Sequence, residues 1–150
     1  MRTQVGIIGC GPAGLLLAHQ LQQHGIESVI LERQSRAHVE SRIRAGVLEQ
    51  GTVQLLRAIG VHERMDREGL IHEGIGLAFG GRQERIDLHG QTGGSSVMIY
   101  GQTEVTRDLI DARLRAGGRI EFEAPALAVE DYLAGQPRIT EKDGAPEGEV

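Results

Sequence analysis

The N-terminal part of the chain alternates between short apolar runs and a glycine-rich break. Gln4–Ile8 is a β-branched, mostly apolar run of the kind that forms a buried parallel strand. A leucine-rich stretch at residues 15–21 follows, with Pro12 suited to the first turn of a helix and Gly25 suited to its C-terminal cap. A second apolar run, Ser28–Glu32, ends in an acid. The pattern predicts a strand–helix–strand (βαβ) unit, and therefore a Rossmann-like α/β fold with a mostly parallel sheet.

The pattern is less regular downstream. Arg33–Arg44 is polar and arginine-rich without a clear period, which predicts an irregular connection. Helices are predicted at Ala45–Gln50 and Thr52–Ile59, and a flexible loop or turn at Gly90–Ser96. Two hairpins are predicted to be added to the α/β unit. Their strands are Ile75–Phe79 with Arg85–Leu88, and Ala126–Leu133 with Arg138–Glu141.

The last third of the chain begins with a predicted helix from Thr103, on which Asp111 and Arg115 stand four residues apart as an ion pair. A strand is predicted at Arg119–Phe122. The final ten residues, 141–150, are polar and contain no apolar anchor. This ending predicts that the chain is incomplete at its C-terminus and forms the N-terminal domain of a longer protein, residues 1–150 being one domain.

Composition narrows the classes of function. The 150 residues are 39% apolar and 25% charged, which is typical of a globular domain. A net charge of −5 gives no basic footprint for nucleic acid. The single cysteine, Cys10, excludes an internal disulfide and indicates a reducing, cytoplasmic compartment. The apolar stretch Val5–Ala18 superficially resembles a signal peptide, but its glycines and proline favour a turn. No run is long enough to span a membrane, and the histidines lack the spacing of a metal site.

The glycine-rich break has the spacing of a dinucleotide-binding turn. Gly9, Gly11 and Gly14 match G-x-G-x-x-G directly after the first predicted strand. The first glycine permits the tight turn, the second lets a pyrophosphate approach the backbone, and the third lets the helix pack on the strand. The helix N-terminus offers free N–H groups to the phosphates. Glu32 ends the second strand, where its carboxylate can accept hydrogen bonds from a ribose.

The fingerprint leaves alternatives open. Each glycine could serve a plain tight turn, and Cys10 is read as a small residue filling the turn rather than a redox thiol. FAD and NAD share adenosine, ribose and pyrophosphate, so an NAD-dependent dehydrogenase or reductase fits the turn as well as a flavoprotein does. Arg42 and Arg44, which flank Ile43, could bind phosphate bidentately or could lie in a solvated loop.

Five segments make the sequence similar to the flavoprotein aromatic hydroxylases. They are "VILERQ", "RIRAGVLEQG", "GLIHEGI", "RIDL" and "YGQTEVTRDL". With the glycine turn, they run in order from Val5 to about Leu114, and the second and fifth are far more specific than the turn itself. An NAD-dependent dehydrogenase gives no account of "RIRAGVLEQG". The resemblance therefore favours FAD.

The resemblance implies where FAD binds. The ADP half would be held by the glycine turn and its acid: Gly9, Gly11, Ala13, Gly14 and Glu32. The flavin side would be lined by the segment Arg42–Val47, with Arg44 on the pyrophosphate and Ala45, Gly46 and Val47 near the isoalloxazine ring, Ile43 lying within the same segment. Gln102 matches a residue of the family that contacts FAD, although an amide beside a helix N-terminus can also be structural.

The resemblance also implies a second nucleotide, NADPH, as co-substrate. Arg33, Gln34, His38 and Arg42 fall where the family engages NADPH. Members of the family usually carry Tyr where this sequence has His38, so NADH or dual use stays open. His72 matches the histidine that ends a proton relay from substrate to solvent, a role that suits imidazole because its pKa lies near neutrality. A histidine on a half-buried strand can equally be structural.

The reaction implied by the resemblance is the NAD(P)H- and O₂-dependent hydroxylation of 4-hydroxybenzoate to 3,4-dihydroxybenzoate, in a homodimer. The substrate-binding sheet of the family lies beyond residue 150, and aromatic residues make up only 3% of this chain. We therefore expect the 150-residue chain alone to be inactive. A truncated, non-catalytic nucleotide-binding module is the alternative.

Overall fold

The fold is described from a computed structural model, which describes residues 2–133 and 135–141. Within these residues the helices are α1 (Pro12–Gln23), α2 (Arg36–Ser41), α3 (Gln50–Ala58), α4 (Glu63–Glu68), α5 (Leu88–Thr92) and α6 (Gln102–Arg115). The strands are β1 (Val5–Ile8), β2 (Ser28–Leu31), β3 (Val47–Glu49), β4 (Leu70–His72), β5 (Gly74–Phe79), β6 (Arg82–Asp87), β7 (Val97–Ile99), β8 (Arg119–Glu121), β9 (Ala126–Glu130) and β10 (Arg138–Glu141). The C-terminal ending predicted to lack an anchor lies outside the described residues from residue 142 onward.

The chain divides into two compact units. The first comprises Met1–Arg42 together with the chain from Thr106 onward, and the second comprises Ile43–Val105. The boundary near Thr106 falls inside α6, so the first turn of this helix belongs to the second unit. Each unit has its own sheets and its own buried side chains.

A three-stranded parallel sheet forms the centre of the first unit, with strand order β1–β2–β8. Val5 stands opposite Ser28, and Val29 stands opposite Arg119. All residues of the central strand β2 are buried, as expected of a strand with a neighbour on each side. Helix α1 connects the parallel strands β1 and β2. The predicted Rossmann-like βαβ unit and its parallel sheet are therefore confirmed.

Helix α1 begins and ends where the sequence predicts. Its N-cap residue, Gly11, is extended and Pro12 occupies the first helical turn, where a missing N–H costs no intrahelical hydrogen bond. At the other end Gly25 adopts a left-handed φ of +69°. The N–H of Ile26 then donates to the carbonyl of Leu21 at 2.9 Å, as in a Schellman cap.

Helix α6 is fixed to the first unit by burial and by one arginine. Leu109 and Ile110 are fully buried. Arg113 is also buried, and its guanidinium donates to the carbonyl oxygens of Ala18 at 3.3 Å and Ser28 at 2.6 Å. Burial lowers the pKa of Arg113. The predicted helix is confirmed, and its body is tied to both α1 and β2.

The second unit contains antiparallel sheets. Strand β7 lies between β3 and β4, with Met98 opposite Leu48 and Ile71. The buried side chains of the unit include Val53 and Leu56 of α3, Met65 of α4, Met98 of β7 and Val105 of α6. Strands β5 and β6 form the first predicted hairpin, which is confirmed. The three-stranded antiparallel sheet was not expected from the sequence, because its strands are short and pair over long sequence separations.

Some local predictions were wrong. Ala45–Gln50 is not a helix, because Val47–Glu49 pairs with the distant strand β7 and the helix begins only at Gln50. The connection Arg33–Arg44 is not wholly irregular, because the Ser35 side chain caps the short helix α2. Part of Gly90–Ser96 is helical, since α5 runs to Thr92 before the turn at Gly93.

The predicted C-terminal hairpin is confirmed, since β9 and β10 pair antiparallel with Ile139 opposite Val129. This hairpin belongs to the first unit.

Among the residues that the structure describes, none of the helices has the length and apolar character needed to cross a bilayer.

Candidate functional site

The glycine turn between β1 and α1 has the geometry that its spacing predicts. Gly9 adopts a φ of +100°, which side-chain-bearing residues rarely reach, and its N–H donates to the carbonyl of Leu31 at 2.8 Å. A Cβ on Gly14 would collide with the carbonyl oxygen of Gly9 and lie 3.1 Å from Cγ2 of Ile7. At Gly11 a Cβ would meet only open space. Two glycines thus serve the fold, and the third leaves the face of the turn clear.

The Glu32 carboxylate is held directly at this turn. Its Oε2 accepts the backbone N–H of Cys10 at 2.8 Å, and its Oε1 accepts the backbone N–H of Gln34 at 2.9 Å. Each oxygen retains a further lone pair, so the carboxylate can still accept hydroxyl donors. The structure therefore brings Glu32 and the glycine turn together, as the fingerprint requires.

The backbone of Glu32 is clamped by the turn that follows β8. The Glu32 N–H donates to the carbonyl of Glu121 at 2.8 Å, and the Glu32 carbonyl accepts the N–H of Ala124 at 2.9 Å. Between them Glu123, at a left-handed φ of +58°, donates its N–H to the carbonyl of Gln34 at 3.2 Å. Sequence reasoning missed this clamp, because it depends on a strand pairing across some ninety residues.

Cys10 is fully buried within the turn. Burial raises the pKa of its thiol to about 12, and the nearby negative charge of Glu32 acts in the same direction. A thiol with such a pKa holds almost no thiolate near neutrality and is a poor nucleophile. The interpretation of Cys10 as a small residue filling the turn fits this environment.

The residues predicted to engage NAD(P)H follow strand β2 along the chain. Arg33, His38 and Arg42 are exposed, and Gln34 is half-buried. His38 stands in the first turn of α2, where its N–H donates to Oγ of Ser35 at 3.2 Å. Arg42 is the C-cap residue of α2 and the last residue of the N-terminal segment of the first unit. Together they place two exposed arginines and an exposed imidazole at or beside α2.

In the second unit, the segment Ala45–Val47 is joined to the start of α6. The N–H of Tyr100 donates to the carbonyl of Gly46 at 2.8 Å, and the N–H of Gln102 donates to the carbonyl of Ala45 at 3.0 Å. A Cβ on Gly46 would lie 3.3 Å from Cα of Gly101, so the two backbones approach closely. The structure thus brings together the two most specific segments of the sequence, "RIRAGVLEQG" and "YGQTEVTRDL".

Most side chains of this second cluster, which comprises residues 43–47 and Gln102, are exposed to solvent. Ile43, Arg44, Ala45 and Val47 are exposed, Ile43 to 89%. Gln102 is half-buried in the first turn of α6. The cluster is therefore ordered through its backbone, while the side chains of Ile43, Arg44 and Val47 are exposed to solvent.

His72 lies at the end of β4, opposite Val97. The alternative structural role for His72 assumes a half-buried strand, whereas every residue of β4 is exposed. One reason is that β4 is an edge strand of its small sheet, with β7 as its neighbour. His72 is therefore not a buried structural histidine, because its side chain is exposed to solvent.

The groups at the glycine turn fit the ADP half of FAD. The helix N-terminus of α1 supplies N–H donors for phosphate, the open face at Gly11 lets a pyrophosphate approach, and the fixed Glu32 carboxylate supplies acceptors for ribose hydroxyls. A family of FAD binding domains matches residues 2–149. The chain belongs to this family.

Among curated proteins, the chain is 46% identical to the p-hydroxybenzoate hydroxylase of Acinetobacter baylyi over 140 residues, which are 93% of this chain and 34% of that protein. It is 25% identical to the rifampicin monooxygenase of Rhodococcus hoagii over 139 residues, which are 85% of this chain and 26% of that protein. The chain thus spans about a third or less of the length of these two relatives.

Solved structures share the fold. The chain is similar to Pseudomonas aeruginosa PqsL in complex with 2-aminobenzoylacetate, with a TM-score of 0.76 and 19% identity, over 85% of this chain and 35% of that one. The likeness to PqsL concerns the fold alone, because its identity is so low. Together with the family match, it shows the predicted α/β FAD-binding fold.

Proposed function

We propose that the chain is the N-terminal FAD-binding domain of a flavin-dependent aromatic monooxygenase that hydroxylates 4-hydroxybenzoate to 3,4-dihydroxybenzoate with NAD(P)H and O₂. The observation that carries the proposal is the 46% identity to a p-hydroxybenzoate hydroxylase over 93% of this chain. The substrate pocket would be completed by residues of a longer protein, which would act as a homodimer in the cytoplasm. The isolated 150 residues would be inactive.

The glycine turn and its acid would hold the ADP half of FAD. The open turn at Gly9, Gly11, Ala13 and Gly14 would receive the pyrophosphate, and Glu32 would accept hydrogen bonds from ribose hydroxyls through the lone pairs that Cys10 and Gln34 leave free. Because two backbone N–H groups already fix the carboxylate, little conformational freedom would be lost on binding.

The segment Arg42–Val47 would line the flavin side. The exposed Arg44 guanidinium would offer a bidentate donor to the pyrophosphate. The backbone of Ala45, Gly46 and Val47 would lie near the ring, with the Gln102 amide as an additional polar contact. FAD, when bound, supplies the redox chemistry that activates oxygen. The role of the protein is to orient it and to exclude water.

Four residues would contact NAD(P)H: Arg33, Gln34, His38 and Arg42. The exposed arginines provide donors for phosphate, and His38 can add a positive charge for a 2′-phosphate when it is protonated. His72 would end a proton relay from the phenol to solvent. Its exposure on β4 supports the last position in such a relay, since a terminal group has to exchange protons with water.

The test uses the longest protein that the gene encodes. We expect NADPH or NADH oxidation that depends on 4-hydroxybenzoate, with 3,4-dihydroxybenzoate formed in the presence of FAD and O₂. Benzoate, which lacks the phenol, is the matched control and should not be hydroxylated. Bound FAD with no hydroxylated product from 4-hydroxybenzoate would leave a non-catalytic FAD-binding module and refute the proposed activity.

A further inference from the structure

A network of charged side chains joins helices α2 and α6 within the first unit. Arg36 donates from Nε to Oε1 of Glu40 at 2.5 Å and from Nη2 to Oδ1 of Asp111. Nε of Arg107 lies 4.0 Å from Oε2 of Glu40. The sequence predicted that Asp111 pairs with Arg115, but the Arg115 guanidinium donates to the Asp111 backbone carbonyl instead, and the carboxylate faces α2.

The two helices that the network joins are not equally well anchored. Helix α2 has only six residues, none of them buried, so neither its length nor apolar packing fixes its position. Helix α6 carries the fully buried Leu109 and Ile110 and the buried Arg113. An ion pair from Arg36 to Asp111 therefore attaches a weakly held helix to a firmly held one.

Helix α2 is in turn connected to the acid of the glycine turn. The segment between Glu32 and Arg36 is short, and within it the Gln34 N–H donates to the Glu32 carboxylate while Ser35 caps the helix. The network also lies near the turn itself. Burial and the charge of Glu32 raise the pKa of Cys10, and the charge of Arg36 acts on the same thiol in the opposite direction.

We infer that Arg36 and Asp111 are positioning residues of the dinucleotide site, whose ion pair holds α2 in place and, through Gln34, keeps the Glu32 carboxylate at the glycine turn. The inference rests on the proposed function in one respect, that Glu32 accepts hydrogen bonds from the ribose of FAD. Arg36 and Asp111 themselves need not touch the ligand. The G-x-G-x-x-G fingerprint does not include either residue.

The experiment measures FAD affinity by flavin fluorescence in the longest protein that the gene encodes, freed of bound flavin. Arg36→Met removes the guanidinium but keeps most of the apolar stem, and Asp111→Asn removes the partner charge from α6. We expect each to weaken FAD binding by about fivefold to tenfold. Arg138→Met removes another exposed arginine–aspartate pair of the first unit, with Asp131, and is the matched control. It should change the affinity by less than about twofold.

A double-mutant cycle separates positioning from general loss of structure. If Arg36 acts through Glu32, Arg36→Met should cost little further affinity in a Glu32→Gln background, because the carboxylate it positions is already gone. Additive losses would overturn the inference, as would unchanged affinity in both Arg36→Met and Asp111→Asn. Should Arg36→Met fail to fold, the same cycle is run with Asp111→Asn.

The same data keep the two proposals apart. If Glu32→Gln weakens FAD binding while Arg36→Met and Asp111→Asn do not, the positioning inference fails and the proposed cofactor site stands. A wild-type protein that binds no FAD, or a Glu32→Gln variant that binds it normally, refutes the proposed site and the inference with it.

Discussion

The glycine turn of the first unit and the segment Arg44–Val47 of the second are ordered by different means. At the turn the functional side chain itself is fixed, because both oxygens of Glu32 accept backbone N–H groups. In the second segment only the backbone is fixed, by hydrogen bonds from Tyr100 and Gln102, while the side chain of Arg44 remains exposed.

This difference explains what a change in each region should do. A substitution at the turn acts on packing, on a fixed carboxylate and on the ligand together. A substitution at Arg44 should act on the ligand and leave the fold unchanged. Stability and FAD affinity should therefore change together in the first region and separately in the second.

The largest effect is expected at Gly14. Gly14→Val should lower the free energy of unfolding by about 2–3 kcal/mol, because the new side chain collides with the backbone carbonyl of Gly9. Gly11→Ala is the matched variant at an open position and should cost less than about 1 kcal/mol. Chemical denaturation measures both, and equal losses in the two variants would contradict the packing described for the turn.

Glu32→Gln should follow in size. It should weaken FAD binding by roughly tenfold to hundredfold, because hydrogen bonds to a charged group contribute about 1.5–3 kcal/mol. The amide also has one acceptor oxygen where the carboxylate offers two to Cys10 and Gln34. Glu130→Gln, on the exposed face of the C-terminal hairpin, is the control and should bind as wild type does. Flavin fluorescence titration gives both affinities.

Arg44→Ala should separate affinity from stability. We expect about fivefold to tenfold weaker FAD binding from loss of a charge-assisted contact, with the free energy of unfolding changed by less than about 0.5 kcal/mol. Arg67→Ala, another exposed arginine of the second unit, should change neither quantity. A large loss of stability in Arg44→Ala, measured by thermal denaturation, would remove the distinction between the two regions.

The smallest effect concerns pH and the scaffold of the first unit. Burial lowers the pKa of His19, whose Nε2 lies 3.1 Å from the carbonyl oxygen of Leu109. The unfolded chain therefore binds the proton more readily, so stability should fall as the pH decreases through 6.5, the ordinary value for histidine. His19→Gln, whose amide can still donate to Leu109, should show a weaker decrease. Melting curves at several pH values test this, and identical slopes would exclude His19 as the cause.

The sequence was sufficient for the βαβ unit because its signals are local. Gly9, Pro12, Gly25 and Glu32 each stand at the end of an element, where one residue type has a clear physical reason to occur. The helix α6 and both hairpins were found for the same reason. The roles at the second cluster came from resemblance, since the spacing of Arg44, Gly46 and Gln102 by itself does not define a site.

What the sequence did not reveal depends on contacts distant in the chain. The local pattern predicts a helix that includes Val47–Glu49, because the pairing of these residues with Val97–Ile99 leaves no local signal. The clamp of Glu32 by the turn after β8, and the pairing of Arg36 with Asp111, also join distant segments. The spacing along α6 predicts an ion pair between Asp111 and Arg115. This prediction is wrong, because the Asp111 carboxylate pairs with Arg36 instead.

FAD binding through the glycine turn and its acid is the property on which every proposal for this chain depends. The most direct measurement is a fluorescence titration of the wild-type protein with FAD and, separately, with NAD, alongside Glu32→Gln and with circular dichroism to confirm folding. We predict saturable FAD binding that Glu32→Gln weakens, and no comparable binding of NAD. A folded protein that binds NAD but not FAD would refute the assignment of this turn to FAD.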